Sequence, residues 1–315
     1  MSLNLAECLD DAARAWPDKV GMVFHDERLT FAQLAARARR VANVLRANGV
    51  GPGDVVAVSL PNTSHFPIIY YGILHLGAVV LPLDGALRRR EIAFRLEDSC
   101  AKALVAWHEY ASEAAAASDA APDCERLIVV TPGPTVESVA PGESFAALMA
   151  EASDVCDMAQ TNPDDTAVVL YTAAANDRMC GAELTHCNLY HNALSSAHFA
   201  LQYGPEDVCL TVLPLYHGFG QTTMLNAPLM AGSTVVLLDH FDPHQVFEVI
   251  ARERVTLLAM VPAMFQIMLM FKPATAPDLS TVRAATSGGA ALAPTTGRGF
   301  EERFGVPVLE GYGLT

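Results

Sequence analysis

Positive charge is scarce in this sequence. Only 20 lysines and arginines stand against 35 aspartates and glutamates, and the net charge of −15 argues against non-specific binding to nucleic acid or to an anionic membrane. Paired cysteines are missing as well. Cys8, Cys100, Cys124, Cys156, Cys180, Cys187 and Cys209 are scattered, odd in number and never spaced C-x-x-C, so neither a disulfide framework nor a zinc site is expected. Buried free thiols in a reducing compartment are the expectation instead. The first residues, MSLNLAECLDDAARAW, have no basic region and carry acids where a signal core would be apolar; no secretory leader is expected, and a cytoplasmic location is. An unbroken apolar run of membrane-spanning length is also lacking. The best candidate, Phe66–Leu83, contains Pro67, Gly72, His75, Gly77 and Pro82, and reads as a helix of about four turns followed by a short strand. Several catalytic signatures are absent too: G-x-G-x-x-G after a strand, G-x-x-x-x-G-K-[ST], G-x-S-x-G and H-E-x-x-H.

What is present is core-forming. Of 315 residues, 51% are hydrophobic and 17% charged, a globular composition with room for one large or two modest domains. Val20–His25 and Leu29–Thr30 flank Asp26–Arg28 as a hairpin, and Thr30 caps a helix that Gly49, Gly51, Pro52 and Gly53 stop. Val55–Leu60, the helix ending near Gly77, and Ala78–Leu83 form a βαβ unit, which makes a parallel sheet the default. Leu189, Ala193, Ala197 and Leu201 lie four apart on one helical face. Apolar strands at 209–213, 282–286 and 306–309 each run into a loop with glycine, and 256–261 is a strand between helices at 246–254 and 262–271. The polar stretch Cys156–Asp165 reads as a junction, giving a first α/β subdomain over 1–160 and a second over 161–315.

The segment that organises the chain is Val168–His186, VVLYTAAANDRMCGAELTH. A strand enters a polar loop, and a helix begins near Thr185, which places the loop at a strand's carboxyl end, where α/β folds bind ligands. Its frame resembles the phosphate-binding signature Y-T-S-G-T-T-G-x-P-K-G, followed by T-H, of the adenylate-forming acyl-CoA synthetases. Tyr171, Thr172, Gly181, Thr185 and His186 match. Ala173, Ala174, Ala175, Asn176, Asp177, Met179 and Cys180 stand where the family has serine, glycine, threonine, threonine, glycine, proline and lysine. Three further segments match in the family's order: Pro214–Gly220, Ser287-Gly288-Gly289-Ala290, and Gly311-Tyr312-Gly313-Leu314-Thr315, which resembles G-Y-G-x-T-E. The amino-terminal third has the family's cadence in GVGPGDVVAVSLPNT, LHLGAVVLPLD and EIAFRLEDSCAKALVA.

The resemblance implies the large N-terminal part of a fatty-acid–CoA ligase: two packed α/β subdomains with mainly parallel sheets flanked by helices. It implies activation of a carboxylate by ATP to an acyl-adenylate, followed by transfer to CoA, with ATP and magnesium as expected cofactors and a fatty acid as the expected substrate. It assigns nucleotide contacts to Thr172, Gly181, Gly288, Gly289, Ala290, Gly311, Tyr312, Gly313 and Thr315. It places the acyl group near His217, Gly218, Phe219, Gly289 and Gly313, with His217 and Thr315 nearest the chemistry. Magnesium has no ligand among these residues, because the family's glutamate would follow Thr315. The ribose-binding aspartate, the hinge and the small C-terminal domain with its catalytic lysine would follow as well. Beside the ligase stands a second reading of the altered loop: a degenerate module that keeps the fold and holds an acyl group or a partner without turning over ATP.

Overall fold

The computed structural model describes residues 2–133, 141–173, 179–272 and 277–315. Its strands are β1 (Val20–Phe24), β2 (Glu27–Thr30), β3 (Val55–Ser59), β4 (Val79–Pro82), β5 (Ala101–Trp107), β6 (Arg126–Val130), β7 (Glu143–Ser144), β8 (Thr166–Ala173), β9 (Met179–Thr185), β10 (Val208–Thr211), β11 (Thr234–Leu237), β12 (Leu257–Met260), β13 (Ala284–Ser287) and β14 (Val308–Glu310). They form two sheets of seven strands, each within one of two α/β units. The first unit comprises Met1–Arg14, Ala32–Pro61 and His65–His191; the second comprises Ala15–Phe31, Asn62–Ser64 and Asn192–Thr315.

The first sheet runs β7-β6-β5-β3-β4-β8-β9, and every pair in it is parallel except β8–β9. The βαβ unit expected from the sequence is β3, helix His65–His75 and β4. That helix is buried from Phe66 to His75, which explains why its sequence shows no polar face. Ala57, Leu81, Leu104 and Ala106 pack against Ile92, Leu96, Ala114 and Ala117 of helices Arg89–Asp98 and Ala111–Ser118. The segment read as an interdomain junction stays inside this unit. His75 Nε2 lies 3.1 Å from the Cys156 carbonyl, and the Leu3 amide donates to the Thr161 carbonyl at 3.1 Å. The division thus runs differently from the expected boundary at 160: β8, β9 and the start of helix His186–Ser195 go with the first unit, and residues 15–31 with the second.

The second sheet runs β14-β13-β12-β10-β11-β1-β2, with only β1–β2 antiparallel. Both faces are covered. Leu210, Val236, Leu258 and Met260 meet Val246, Ile250, Phe265, Met268 and Phe300 on one side. Cys209, Leu257, Ala259 and Ala284 meet Ala193, Ala197, Leu201, Met224 and Ala227 on the other. Burial on both faces is why these strands read as unbroken apolar runs and not as alternating ones. The helical run from Gly218 to Met230 widens over Thr222–Asn226 into a π-helical turn. Two side chains serve carbonyls in that turn: Tyr203 Oη donates to Thr223 O at 2.6 Å, and Thr211 Oγ1 donates to Met224 O at 3.0 Å.

Two sequence expectations need correction. The chain between Tyr171 and His186 is not one loop: Met179–Thr185 is a strand, antiparallel to β8 from Thr166–Thr185 to Ala173–Met179. Nor are all the thiols buried. The described residues contain no disulfide, and Cys100 and Cys180 are exposed. Among the described residues, no helix is long and apolar enough to cross a membrane.

Candidate functional site

In the second unit, four parallel strands, β10, β12, β13 and β14, end on the same edge. β12 lies between β10 and β13, so the loops that follow those two strands do not come from adjacent strands. They still meet, because the helix that begins at Gly218 carries Phe219 across to Gly288. A Cβ on Gly288 would lie 2.9 Å from two carbons of the Phe219 ring, so a side chain there would displace the ring. The Gly288 amide donates to Met260 O at 3.3 Å and the Gly311 amide to Ser287 O at 2.8 Å, which ties the ends of β12, β13 and β14 together. Gly289 is in the left-handed region at φ +80, with only Val261 Cγ1 near its Cβ position at 3.5 Å. Glycine permits that turn and leaves its outer side open. Ala290 is exposed beside it.

His217 precedes the helix that starts at Gly218. Its ring is exposed, makes no capping hydrogen bond, and lies 4.8 Å from the Tyr216 ring. Tyr312 is 91% exposed, and Gly313 and Thr315 are exposed with it. The sequence reading missed two residues near these loops, Asn62 and Glu310, and the burial of the Ser287 hydroxyl. Buried Asn62 braces the end of β10 from both sides: its Nδ2 donates to Leu213 O at 2.8 Å, and its Oδ1 accepts from the Leu215 amide at 2.9 Å. Glu310 Oε1 accepts from the Leu292 amide at 2.8 Å and so holds the far side of the glycine turn. The Ser287 hydroxyl is buried at the end of β13 with no hydrogen-bond partner among the described residues. The Pro61-Asn62 pair by itself carries no sign of the long-range bonds of Asn62.

The other matching segment is the β8–β9 hairpin of the first unit. Residues 174–178, with Ala174, Ala175, Asn176 and Asp177 of the altered stretch, lie outside the described residues. The ladder below them pairs Tyr171 with Gly181 and Thr172 with Cys180. Gly181 has a packing reason to be glycine: its Cβ position is 3.0 Å from Val169 Cγ1 and 3.3 Å from Tyr171 Cζ. Thr185 caps the following helix, its Oγ1 accepting from the Asn188 amide at 3.1 Å while Asn188 Oδ1 accepts from the Thr185 amide at 3.2 Å. His186 is fully buried, its Nδ1 accepting from the Leu5 amide at 3.0 Å, and burial pushes its pKa down to about 4. Tyr171 donates from its hydroxyl to Asp98 Oδ2 at 2.6 Å; burial and that carboxylate push the phenol pKa upward.

A nucleoside triphosphate meets unequal support in these two places. The turn at Gly289 is open on its outer side, the Tyr312 ring is exposed, and the Ser287 hydroxyl has no hydrogen-bond partner among the described residues. The described part of the hairpin offers the Thr172 hydroxyl but no lysine or arginine, and Cys180 holds the ladder position opposite Thr172. No group of three or more His, Cys, Asp or Glu side chains that could hold a metal ion occurs among the described residues.

Residues 9–315 match the family described as AMP-binding enzyme. The chain is 28% identical over 335 residues to a long-chain-fatty-acid–CoA ligase of Bacillus subtilis (strain 168), covering 99% of this chain and 60% of that protein. It is 31% identical over 303 residues to a feruloyl-CoA synthase of Amycolatopsis sp, covering 96% of this chain and 57% of the relative. The crystal structure of ATP-bound MatB from Rhodopseudomonas palustris is similar at a TM-score of 0.87 and 30% identity, covering 100% of this chain and 60% of that one. The chain thus spans about 60% of the length of the curated relatives it matches.

Proposed function

This chain belongs to the AMP-binding enzyme family, and from that premise we propose that it carries the adenylate- and acyl-binding surface of an acid–CoA ligase with a weakened hold on the outer phosphates of ATP. In the proposed reaction a carboxylate attacks the α-phosphate, pyrophosphate leaves, and the thiol of CoA then takes the acyl group from the adenylate. Catalysis of this kind is mostly positioning and neutralisation of charge. Thr315 is assigned to the α-phosphate and Tyr312 to the adenine, with His217, Gly288, Gly289 and Gly313 around the acyl group. A fatty acid is the proposed acid, in keeping with the Bacillus relative and with the run at 259–270, where Phe265 and Met268 are buried.

The observation that carries the reading is Cys180. It stands opposite Thr172 in the ladder, where the signature has its lysine, and a cysteine supplies none of the attraction that an ammonium offers a phosphate. The one basic residue of the altered stretch, Arg178, occupies the signature's variable position. If the arm no longer rewards the β- and γ-phosphates, AMP binds at least as tightly as ATP with magnesium. Calorimetry of both ligands tests this, and ATP binding tighter than AMP by roughly tenfold or more, about 1.4 kcal/mol, overturns the weak-grip reading.

The same substitution favours the second reading, a binding module without turnover. The two readings part in a thermal-shift comparison. A fatty acid alone stabilises a module, whereas a working adenylation site is stabilised further by ATP with magnesium.

A further inference from the structure

The β8–β9 arm overhangs its sheet. β8 pairs with β4 at Val80–Val168, and β4 stops at Pro82, which has no amide hydrogen to extend the ladder. Beyond that point the arm is a two-stranded ribbon, a structure of marginal stability in water on its own. Tyr171 lies on the overhang and is the side chain that seats it. Helix Arg89–Asp98 supplies three of its neighbours. Asp98 accepts the phenol hydrogen at 2.6 Å, the Arg95 guanidinium carbon lies 5.5 Å from the ring centroid, and the Phe94 ring meets it edge-on at 6.2 Å. Gly181, across the ladder, closes a fourth side. Arg95 is itself held in place, its Nη1 donating to Glu91 O at 2.8 Å. The next rung outward is Thr172–Cys180.

We propose that Asp98 and Arg95 are positioning residues for the phosphate arm, acting through Tyr171 to fix how Thr172 and Cys180 are presented to the β- and γ-phosphates of a nucleoside triphosphate. This rests on the reading of the arm as the phosphate grip. The contacts make the role directional. The carboxylate accepts a hydrogen bond that only a protonated phenol donates, and the guanidinium covers the ring's electron-rich face, so displacing either partner frees the ribbon to swing without disturbing the core of the sheet.

Two measurements test the proposal, the first needing no nucleotide. In Asp98→Ala and Tyr171→Phe, amide hydrogen exchange at 170–172 and 179–182 is expected to rise about tenfold while β3, β5 and β6 keep their protection, and Asp98→Asn, which retains an acceptor, is expected to restore the slow rate. Unchanged exchange in both variants overturns the clamp. The second measurement uses a background in which the signature is restored at 173–177, 179 and 180, so that triphosphate binding is measurable. There Asp98→Ala and Arg95→Ala are expected to weaken ATP roughly tenfold and leave AMP unchanged, since AMP lacks the phosphates the arm would hold. Equal loss for both ligands means general destabilisation and overturns the positioning role, as does no loss for either. A restored chain that gains no ATP affinity before Asp98 is touched overturns the reading of the arm as the phosphate site, and with it the nucleotide half of the proposal. The exchange result still judges the clamp.

Discussion

The hairpin of the first unit and the strand-end loops of the second both match one family's signatures, and they keep different residues for different reasons. In the hairpin, each surviving residue beyond Thr172 has work in the fold. Tyr171 bonds to Asp98, Gly181 makes room for Tyr171, Thr185 caps a helix, and His186 is buried against the Leu5 amide. Folding alone accounts for them, so their presence says little about phosphate. In the second unit, His217 and Tyr312 lie exposed, and His217 caps nothing. Neither has a role of that kind among the described residues, and ligand contact is what we propose for them.

The comparison breaks most sharply at the arm. Changing Ala173→Ser, Ala174→Gly, Ala175→Thr, Asn176→Thr, Asp177→Gly, Met179→Pro and Cys180→Lys together is expected to raise ATP affinity at least roughly a hundredfold in calorimetry, because each hydrogen bond to a charged group contributes about 1.5–3 kcal/mol. If the unaltered chain already matches the restored one, the arm is not the phosphate site. Cys180→Lys alone measures the share due to charge.

On the other side, Asn62→Ala leaves the Leu213 carbonyl and the Leu215 amide without their buried partner. A loss of about 2 kcal/mol is expected in urea unfolding, together with a weakened acyl site. A midpoint that stays put would mean that water replaces the amide freely. Gly289→Trp comes next. A side chain at φ +80 costs about 1–2 kcal/mol, and the indole would fill the open side of the turn, so fatty-acid binding should fall at least about tenfold by equilibrium dialysis. Undiminished binding moves the acyl group elsewhere.

The smallest effect at neutral pH belongs to His186. Its folded pKa of about 4 is below the ordinary histidine value near 6.5, so the unfolded chain takes up the proton first. The native contribution is complete above about pH 6.5 and is lost as pH falls towards 4. His186→Asn keeps an acceptor for the Leu5 amide and should flatten that slope. A slope unchanged in the variant would assign the acid sensitivity to other groups.

Much of the fold could be read in advance, and what escaped has physical causes. Phe66–Leu83 resolved into helix and strand because its proline and glycine residues punctuate it. β8 was legible as an apolar run. β9 was not: Met-Cys-Gly-Ala-Glu-Leu-Thr has no alternation and a single β-branched residue, at its end, and pairing with β8 imposes its conformation. Sheet order was beyond reach for the same kind of reason, since nothing in 256–261 says that this strand inserts between the two glycine-bearing loops. The glycines at 288 and 289 were legible as a turn, but the ring that rests on the first and the positive φ of the second are tertiary facts. So are the long reach of Asn62 and the tie from Glu310 to Leu292.

The π turn at Thr222–Asn226 has a consequence for chain length. A π turn holds one residue more than the α-helical path requires, and each residue of an α-helix advances the side chains by about 100°. Excising a single residue there would give the helix a regular ladder while rotating Gly218 and Phe219 against Ala227 and Leu229, which stay with the core. Most helices tolerate a one-residue deletion badly. This one carries a spare, so the direction in which its first turn faces is open to change by insertion and deletion, a route that substitution cannot imitate.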